Sequence, residues 1–592
     1  MLELLCVGGN RPASGGPGKR GRRVQRGQAF WRTGLQYAGI GDNEDMTNLP
    51  EPDAAGSPGS ATLLERLRAA ADLLEAVVAD RRLLEALPDA ERERLTRAIG
   101  QAYHPDRAVR RRHRKDAEKE RRDAKVQAED ALLHATGIRT LRRRKIFTTP
   151  NAFPPEALAH DPVVGAQATA AADAPPDGLG HAPAPRHCYV CKTKYTAVHH
   201  FYDQLCQDCG DLNFRKRTET ADLRGRVALL TGGRVKIGYQ AGLKLLRAGA
   251  SLIVTTRFPR DSAARYAQEP DFGDWSGRLQ VYGLDLRHTP SVEAFCTHLL
   301  ATQSRLDYII NNACQTVRRP PAFYAHMMES ETAAEHDAPD AVRALLAGYE
   351  DLRAAMAPTG DRLASPAAPS APGAAALAAF ATPATASGAA GMTHAAALSQ
   401  LALHDDDHVA ASHLFPDGEL DKDLQQVDLR GRNSWRLELA EVATVELLEV
   451  QLVNAVAPFV LNARLKELML RTPGRDKHIV NVSAVEGQFY RNFKTTRHPH
   501  TNMAKAALNM MTRTSATDYQ QDGIHMNSVD TGWVTDEDPA ELAERKVREE
   551  RFHPPLDIVD GAARIVDPII VGANTAEHAW GQFLKDYRPT DW

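Results

Sequence analysis

Four cysteines stand in two pairs, Cys188-x-x-Cys191 and Cys206-x-x-Cys209. A two-residue spacer lets both thiolates of a pair turn toward one ion, and four soft sulfur ligands suit tetrahedral Zn²⁺. With every position filled by sulfur, no place is left for water or substrate, so the metal expected here is structural. His199 and His200 lie between the pairs and are alternative ligands. Cys6, Cys296 and Cys314 stand apart, which reads as metal spacing rather than a disulfide framework. Phe201, Tyr202, Phe214, Arg215, Lys216 and Arg217 mix aromatic and basic character nearby. The aromatics are expected to pack on a module too small for a core of its own, with nucleic-acid contact the lesser reading.

A second constellation follows. Arg226-Val-Ala-Leu-Leu230 is a short apolar run fit for a buried parallel strand, and it leads through Thr231-Gly232-Gly233-Arg234-Val235-Lys236-Ile237-Gly238 into a helical pattern that ends at Ala248. Glycines let a backbone approach a pyrophosphate, and a helix start supplies amides and a positive dipole for its charge. The strand before and the helix after give this glycine motif the context that a lone one lacks. A second strand, Ser251-Leu-Ile-Val-Thr255, is followed by Thr256-Arg257 rather than an acidic residue. A carboxylate there would accept from a ribose 2′-hydroxyl and repel a 2′-phosphate, whereas Arg257, Arg234 and Lys236 would pair with that phosphate, so NADP(H) is preferred to NAD(H).

At these residues the chain resembles the short-chain dehydrogenase/reductase family, whose pattern is Thr-Gly-x-x-x-Gly-x-Gly. Lys236 occupies the middle glycine position, where pteridine reductases, a branch of the family, also carry a basic residue. The resemblance implies a cofactor set of Thr231, Gly232, Arg234, Lys236, Ile237, Gly238, Arg257, Asp285 and Leu286 at the adenine, Asn312 and Ala313 in the turn after the strand 306–310, and Lys505 at the nicotinamide ribose. It implies a catalytic set of Asn454, Ser483 and Lys505, with Thr501 where the family has tyrosine. A phenol, with reference pKa about 10, can be lowered by a lysine until it exchanges protons near neutrality, but an aliphatic hydroxyl starts several units higher. Thr501 can orient a substrate yet is a poor acid, so His500, His498 or Tyr490 is the expected proton source. Val529-Asp530-Thr531-Gly532 replaces the Pro-Gly usual beside the nicotinamide. The implied function is an NADP(H)-dependent oxidoreductase acting on a carbonyl or alcohol of a small molecule. The alternative is a weakly active or inactive NADP(H)-binding regulatory protein working through its zinc and basic helical regions.

The elements that must position these groups are legible as patterns. Hydrophobic runs alternate with helical patterns from Leu223 onward, giving an α/β class, a doubly wound parallel Rossmann sheet over 221–592. It is preceded by a zinc module at 186–217 and interrupted at about 318–440 by a partly low-complexity insertion that either covers the substrate opening or is a loop without function. Residues 1–61 are expected to be a disordered extension, with Met1 or Met46 as the start, 62–150 a basic helical region and 151–185 a linker. The helical region holds Arg110, Arg111, Arg112, Arg114 and Lys115 interleaved with Asp116, Glu118 and Glu120. It is read first as a solvated helix face and second as a site for nucleic acid or an acidic protein. His104-Pro105-Asp106 repeats the tripeptide of J-domain co-chaperones, but the periodicity shows neither flanking helix and carries no expectation of that function.

The 592 residues include 73 basic and 76 acidic side chains, so whole-chain charge favours neither nucleic acid nor an acidic partner. No apolar run reaches the roughly 18 residues of a membrane span and no secretory signal is evident, so a cytoplasmic protein without membrane contact is expected. Self-association through the helices bearing Asn454 and Lys505 is implied by the resemblance.

Overall fold

The computed structural model describes residues 62–104, 107–145, 178–333, 336, 338–356, 389–404, 407, 413–490 and 494–592. The 1–61 extension with Met46, most of the expected linker and the Ala-rich stretch 357–388 lie outside the described residues. The chain divides into two units, Met1–Arg110 and Arg111–Trp592. In the first, the leucine periodicity gives α1 (Leu63–Ala79), opened by a capping box in which Thr62 Oγ1 accepts from the Glu65 amide while Glu65 accepts from the Thr62 amide. α2 (Asp89–Tyr103) follows, and neither helix buries a residue. α3 (Arg107–His134) begins just beyond His104-Pro105-Asp106, so helices flank that tripeptide on both sides, contrary to the periodicity. The basic stretch from Arg111 to Lys125 is exposed, and Arg114 pairs with Glu118 at 3.5 Å, one turn away.

The cysteine module is larger than its spacing suggested. α4 (Gly137–Arg142), from the expected helical region, packs beneath it: the Ile138 amide donates to the Phe201 carbonyl at 2.9 Å and Arg139 pairs with buried Asp203. An antiparallel ribbon follows, β1 (Gly180–His187) with β2 (Lys194–Val198), and then α5 (Gln207–Thr218). Residues 180–185, expected in the linker, belong to β1. Their Ala-Pro composition misled because proline is tolerated in an edge strand, where a missing N–H breaks no ladder. Leu133 at the end of α3 packs on Ala182 and Val198.

Beyond it run β3 (Val227–Thr231), α6 (Lys236–Arg247), β4 (Ser251–Thr256), α7 (Pro259–Ala267), β5 (Leu279–Gly283), α8 (Thr289–Thr302) and β6 (Tyr308–Asn311). The insertion contributes α9 (Pro321–Thr332) and α10 (Asp340–Met356). α11 (Thr444–Gln451) continues through a π turn at Leu452–Val456 into α12 (Ala457–Leu470), followed by β7 (Lys477–Ser483), α13 (Pro499–Gln521) and β8 (Ile524–Asp530). The chain closes with α14 (Ala540–Glu550), α15 (Ile558–Thr575), β9 (Phe583–Lys585) and β10 (Arg588–Thr590). Eight strands form one sheet in the order β5-β4-β3-β6-β7-β8-β9-β10, parallel except for the last pair. This is the expected doubly wound Rossmann-like sheet. Its order reverses between β3 and β6, the point at which a cleft opens at the strand ends.

Apolar runs such as Leu229-Leu230, Ile309-Ile310 and Ile479-Val480 are buried in the sheet, as parallel strands covered on both faces require. A polar ladder also crosses this core: Asn311 Nδ2 donates to Asn462 at 2.9 Å and to Asn481 at 2.8 Å, Asn481 donates to Thr512 at 2.9 Å, and Ser528 donates to Thr512 at 2.8 Å. The segment Thr444–Leu470 is, by length and composition, apolar enough to cross a membrane, an 18-residue window of it having mean hydropathy 1.5, which the count of uninterrupted apolar residues missed. Leu461, Leu465 and Leu468 bury its inner face in the sheet core. The described parts of the insertion are integral rather than appended. Val342, Leu345, Leu346 and Tyr349 of α10 join the main core, and Gly283 leaves room for the Tyr349 ring, whose Oη donates to the Met392 carbonyl at 2.6 Å.

The module docks on the start of α15 through buried charge. Arg217 lies 2.6 Å from Asp557 and 3.0 Å from Asp560, Tyr202 Oη donates to Asp560 at 2.5 Å, and Arg564 reaches Asn213 at 2.7 Å and Asp586 at 2.8 Å. Burial works against both carboxylates, yet Arg217 holds Asp557 below the usual range, while burial and the charge of Asp557 push Asp560 above it. Removing one partner of such a pair leaves a buried charge uncompensated, at a cost of about 3–5 kcal/mol. Arg217→Ala is accordingly expected to lower unfolding stability by about that amount, read by denaturant titration.

Candidate functional site

The turn from β3 to α6 is shaped by close approach. Gly232 has φ +69°, and a Cβ there would meet Ala313 Cα at 2.8 Å; a Cβ at Gly238 would meet the Gly232 carbonyl oxygen at 2.2 Å and Asn312 Nδ2 at 2.3 Å. Asn312 Nδ2 donates to the carbonyls of Thr231 at 3.1 Å and Gly232 at 3.0 Å, while Thr231 Oγ1 accepts from the Ala313 amide at 3.0 Å. Asn312 and Ala313 thus pin the turn from the neighbouring strand. Lys236 sits at φ +54°, a left-handed conformation that costs a lysine about 1–2 kcal/mol. The Glu537 carboxylate beside it, ahead of burial, and then Asp423 and Asp421 decide its charge and raise its pKa.

A cleft of about 680 Å³ opens over this turn. Gly232, Arg234, Lys236, Ile237, Gly238, Arg257, Asp285, Leu286, Asn312 and Ala313 all line it, whereas Thr231 and Lys505 do not. The three expected phosphate-binding cations are in different states. Arg234 is buried and paired with Asp261 at 2.7 Å, so it holds α7 in place. Lys236 faces Glu537. Arg257 has no carboxylate partner among the described residues; its guanidinium donates to Tyr324 Oη at 2.8 Å and lies 4.8 Å from that ring and 5.6 Å from Phe258. Burial disfavours the Tyr324 phenolate, but Arg257 outweighs it and lowers that pKa. Asp285 is buried and bonded to Arg287 at 2.6 Å, and Arg287 also reaches Glu449 at 2.8 Å.

Two walls of the cleft were not read from the sequence. Arg319, Tyr324, Gln425, Asp428 and Arg430 come from the insertion, and Thr535 to Ala540 come from the segment after β8. Their polar character carried no periodicity or motif that ties them to a turn about 80 to 300 residues away in sequence.

The catalytic-slot residues lie deeper. Asn454 sits in the π turn and is tied to Gln315 both ways: its Oδ1 accepts from the Gln315 amide at 2.7 Å and its Nδ2 donates to the Gln315 carbonyl at 3.2 Å. Lys505 Nζ donates to the Val482 carbonyl at 2.7 Å, and Ser483 Oγ donates to the Lys505 carbonyl at 3.4 Å. Thr501 is buried on the first turn of α13. None of Asn454, Ser483, Thr501 and Lys505 lines the cleft, although Val453, Cys314 and Gln315 beside them do. Of the alternative proton sources, Tyr490 is 82% exposed and points away from the core. His498 is buried, with φ +42°, and stacks on Trp435 at 3.9 Å. His500 is buried with Nε2 3.4 Å from Glu446 on α11. Burial opposes the Glu446 carboxylate, but the His500 contact keeps its pKa below the usual value. Asp530 accepts from the amides of Val485 at 2.7 Å and Gly532 at 2.6 Å while burial raises its pKa.

The sulfurs of Cys188, Cys191, Cys206 and Cys209 lie within 4.8 Å of one another, with Cys191 and Cys206 at 3.7 Å. A tetrahedral zinc with bonds of about 2.3 Å sets sulfurs about 3.8 Å apart, so the four-thiol donor set fits that ion. His199 is not a fifth candidate: its Nδ1 accepts from the Phe201 and Tyr202 amides at 3.0 and 3.2 Å and its Nε2 faces Asp211 at 3.1 Å. Burial lowers its pKa to about 4.

Residues 226–335 match the short chain dehydrogenase family, and residues 432–554 match the enoyl-(acyl carrier protein) reductase family. Among known proteins, the uncharacterized protein R665 of Acanthamoeba polyphaga mimivirus is 29% identical over 412 residues, which are 68% of this chain and 74% of that one. Dehydrogenase/reductase SDR family member 13 of Homo sapiens is 39% identical over 95 residues, 16% of this chain and 24% of its own. The chain therefore spans only about a quarter of that relative. Among solved structures, a dehydrogenase/reductase from Sinorhizobium meliloti 1021 is 15% identical, covering 63% of this chain and 96% of its own at a TM-score of 0.36. A metagenomic short-chain oxidoreductase in complex with NADP is 17% identical, covering 62% and 100% at a TM-score of 0.33.

The crowding at Gly238 gives a direct test of the turn. A methyl group there must push the Gly232 carbonyl and Asn312 apart, and overpacking of this kind costs about 1–3 kcal/mol. Gly238→Ala is expected to lower the thermal midpoint, whereas Gly277→Ala, whose Cβ would meet nothing within 4 Å, leaves it nearly unchanged.

Proposed function

We propose that this chain is a divergent short-chain dehydrogenase/reductase that binds NADP(H) and moves a hydride between that cofactor and a carbonyl or alcohol carbon of a small molecule. The observation that carries the reading is the cleft at the switch point of the sheet, with the glycine turn pinned by Asn312 on one side and Arg257, in no ion pair within 4 Å among the described residues, at the end of β4. The amides at the start of α6 and its dipole suit a pyrophosphate, and Arg257, stacked beside Tyr324, suits a 2′-phosphate. The bound cofactor would supply the hydride, and a proton must reach the substrate oxygen. His500 is the proposed source, because Thr501 is too weak an acid, Tyr490 faces solvent, and the Glu446 carboxylate 3.4 Å from His500 Nε2 can orient the ring. Ser483 and Lys505 would have to exchange their backbone partners for substrate and ribose oxygens on binding.

The internal bonds of Ser483 and Lys505, and their position outside the cleft lining, favour a second reading. In it the domain is an NADP(H)-responsive platform of little or no activity, acting through the cysteine module and the exposed basic face of α3. For the module we propose one structural Zn²⁺ on Cys188, Cys191, Cys206 and Cys209. For assembly we propose self-association through α12 and α13, whose outer faces leave Phe459, Met503 and Met510 more than half exposed.

Calorimetric titration with NADPH and NADH is expected to show NADPH-selective binding that Arg257→Ala weakens by about tenfold or more. A carbonyl panel then separates the readings. Turnover that His500→Gln reduces by about 10²-fold or more, with NADPH affinity unchanged, is the enzyme outcome; NADPH binding with no turnover is the platform outcome. Zinc analysis is expected to give one ion per chain, lost in a Cys206→Ser, Cys209→Ser variant, and Phe459→Asp is expected to shift the sedimentation coefficient toward the monomer.

A further inference from the structure

The segment that follows β8 joins the cysteine module to the cofactor cleft. Its residues Thr535 to Ala540 line the cleft, and Glu537 faces Lys236 there. Its two ends are held from the module. The Trp533 amide donates to Tyr189 Oη at 3.0 Å, and the Leu556 amide donates to the Trp533 carbonyl at 3.2 Å, which ties the ends to each other. Gln204 Nε2 donates to the His553 carbonyl at 2.7 Å, and Arg142 donates to the Leu556 carbonyl at 3.1 Å. Val534 and Leu556 are buried among Phe201, Tyr202 and Leu205, with Cys206 and Cys209 packed on the same cluster.

Tyr189 is the first of the two residues between the cysteines of the first pair, next to buried Cys188. Its own amide donates to the Gln204 carbonyl at 2.9 Å, which links the first pair to the chain leading into the second. The ring therefore stands on backbone bonded across the two cysteine pairs, and its hydroxyl reaches the point where the chain leaves the sheet beside Asp530. On the far side the segment is held by the insertion, where Asn433 donates to the Glu537 carbonyl at 2.8 Å and Arg436 pairs with Asp538, and by itself, where Lys546 pairs with Asp536 at 2.9 Å.

We propose that Tyr189 is a positioning residue for the cofactor cleft, so that a metal on the four cysteines sets how firmly residues 533–557 close over it. The inference rests on the NADP(H) reading for its effect on binding, but the tether itself does not. Neither cysteine pair touches the cleft; the module reaches it through this segment and through Ile237, which lines the cleft and packs on the module's apolar cluster.

The test uses the full chain, unsubstituted, as Tyr189→Phe, as Gln204→Met and after zinc chelation. It reads zinc content, hydrogen exchange over 531–557 and NADPH affinity. Tyr189→Phe removes one hydrogen bond, worth a factor of about three to ten. It is expected to retain one zinc, to speed exchange at residues 531–538 and to weaken NADPH by that factor. Gln204→Met is expected to act in the same direction at residues 550–556, and chelation to do both. Unchanged exchange in Tyr189→Phe and Gln204→Met overturns the tether whatever the cleft binds. Loss of zinc in Tyr189→Phe overturns it too, because the tyrosine would then be supporting the cysteine pair rather than the segment. If the unsubstituted chain binds no dinucleotide, the cofactor reading falls, and the exchange comparison alone decides the tether.

Discussion

Two buried carboxylates at the start of α15, Asp557 and Asp560, set the arrangement of everything around them. They are one turn apart and fully enclosed, so both cannot remain charged without a cation between them. Arg217 of α5 supplies it, Tyr202 donates to the second carboxylate, and Arg564 on the next turn binds Asn213. Every one of these contacts joins the cysteine module to the sheet domain. The module is therefore fixed to α15 in one orientation, because a buried charge left unmatched costs several kcal/mol and only one docking geometry matches them all.

From that point the constraint runs in two directions. α15 packs on α6, and a Cβ at Gly561 would already touch Ile237 at 3.1 Å, so the helix that holds the module also backs the helix that opens the glycine turn. In the other direction, the module holds Trp533 and Leu556, the two ends of the segment that walls the cleft. The module core and the cleft meet at Ile237, which packs on the sheet core and the module core alike and lines the cleft. The left-handed Lys236 lies at the centre of this arrangement. It is a strained residue where a glycine would be free of strain, and Glu537 from the held segment acts on its charge.

Much of the cleft was legible because it is built from local signals. A strand, a glycine turn and a helix start are contiguous in sequence, and the turn chemistry that demands Gly232 and Gly238 acts within a few residues. Arg257 was legible for the same reason, as the residue that ends a strand. Asn312 and Ala313 were found by motif, and the structure supplies their physical role as donors and acceptors to the turn. What was misread was non-local. Arg234 looked like a free cation and is spent on Asp261. The 180–185 stretch looked like a linker and pairs with β2. The helices around His104-Pro105-Asp106 were hidden by charge, because α2 and α3 bury no continuous apolar stripe from which a period could be read.

The sequence by itself determined the elements and the local chemistry: the parallel strands from their apolar runs, the turn from its glycines, the four-sulfur site from its spacing. These follow from interactions between residues a few positions apart, which any local window contains. Only the tertiary structure decided which charges are held in ion pairs, since the fold brings Asp261 to 2.7 Å from Arg234 and a phenol to Arg257. It also decided that Ser483 and Lys505 bond to backbone carbonyls outside the cleft lining, that the insertion forms part of the cleft wall, and that the cysteine module holds another part. Those outcomes depend on pairs such as Tyr189 with Trp533 and Arg217 with Asp557, separated by hundreds of residues, whose energies exist only once the chain has closed.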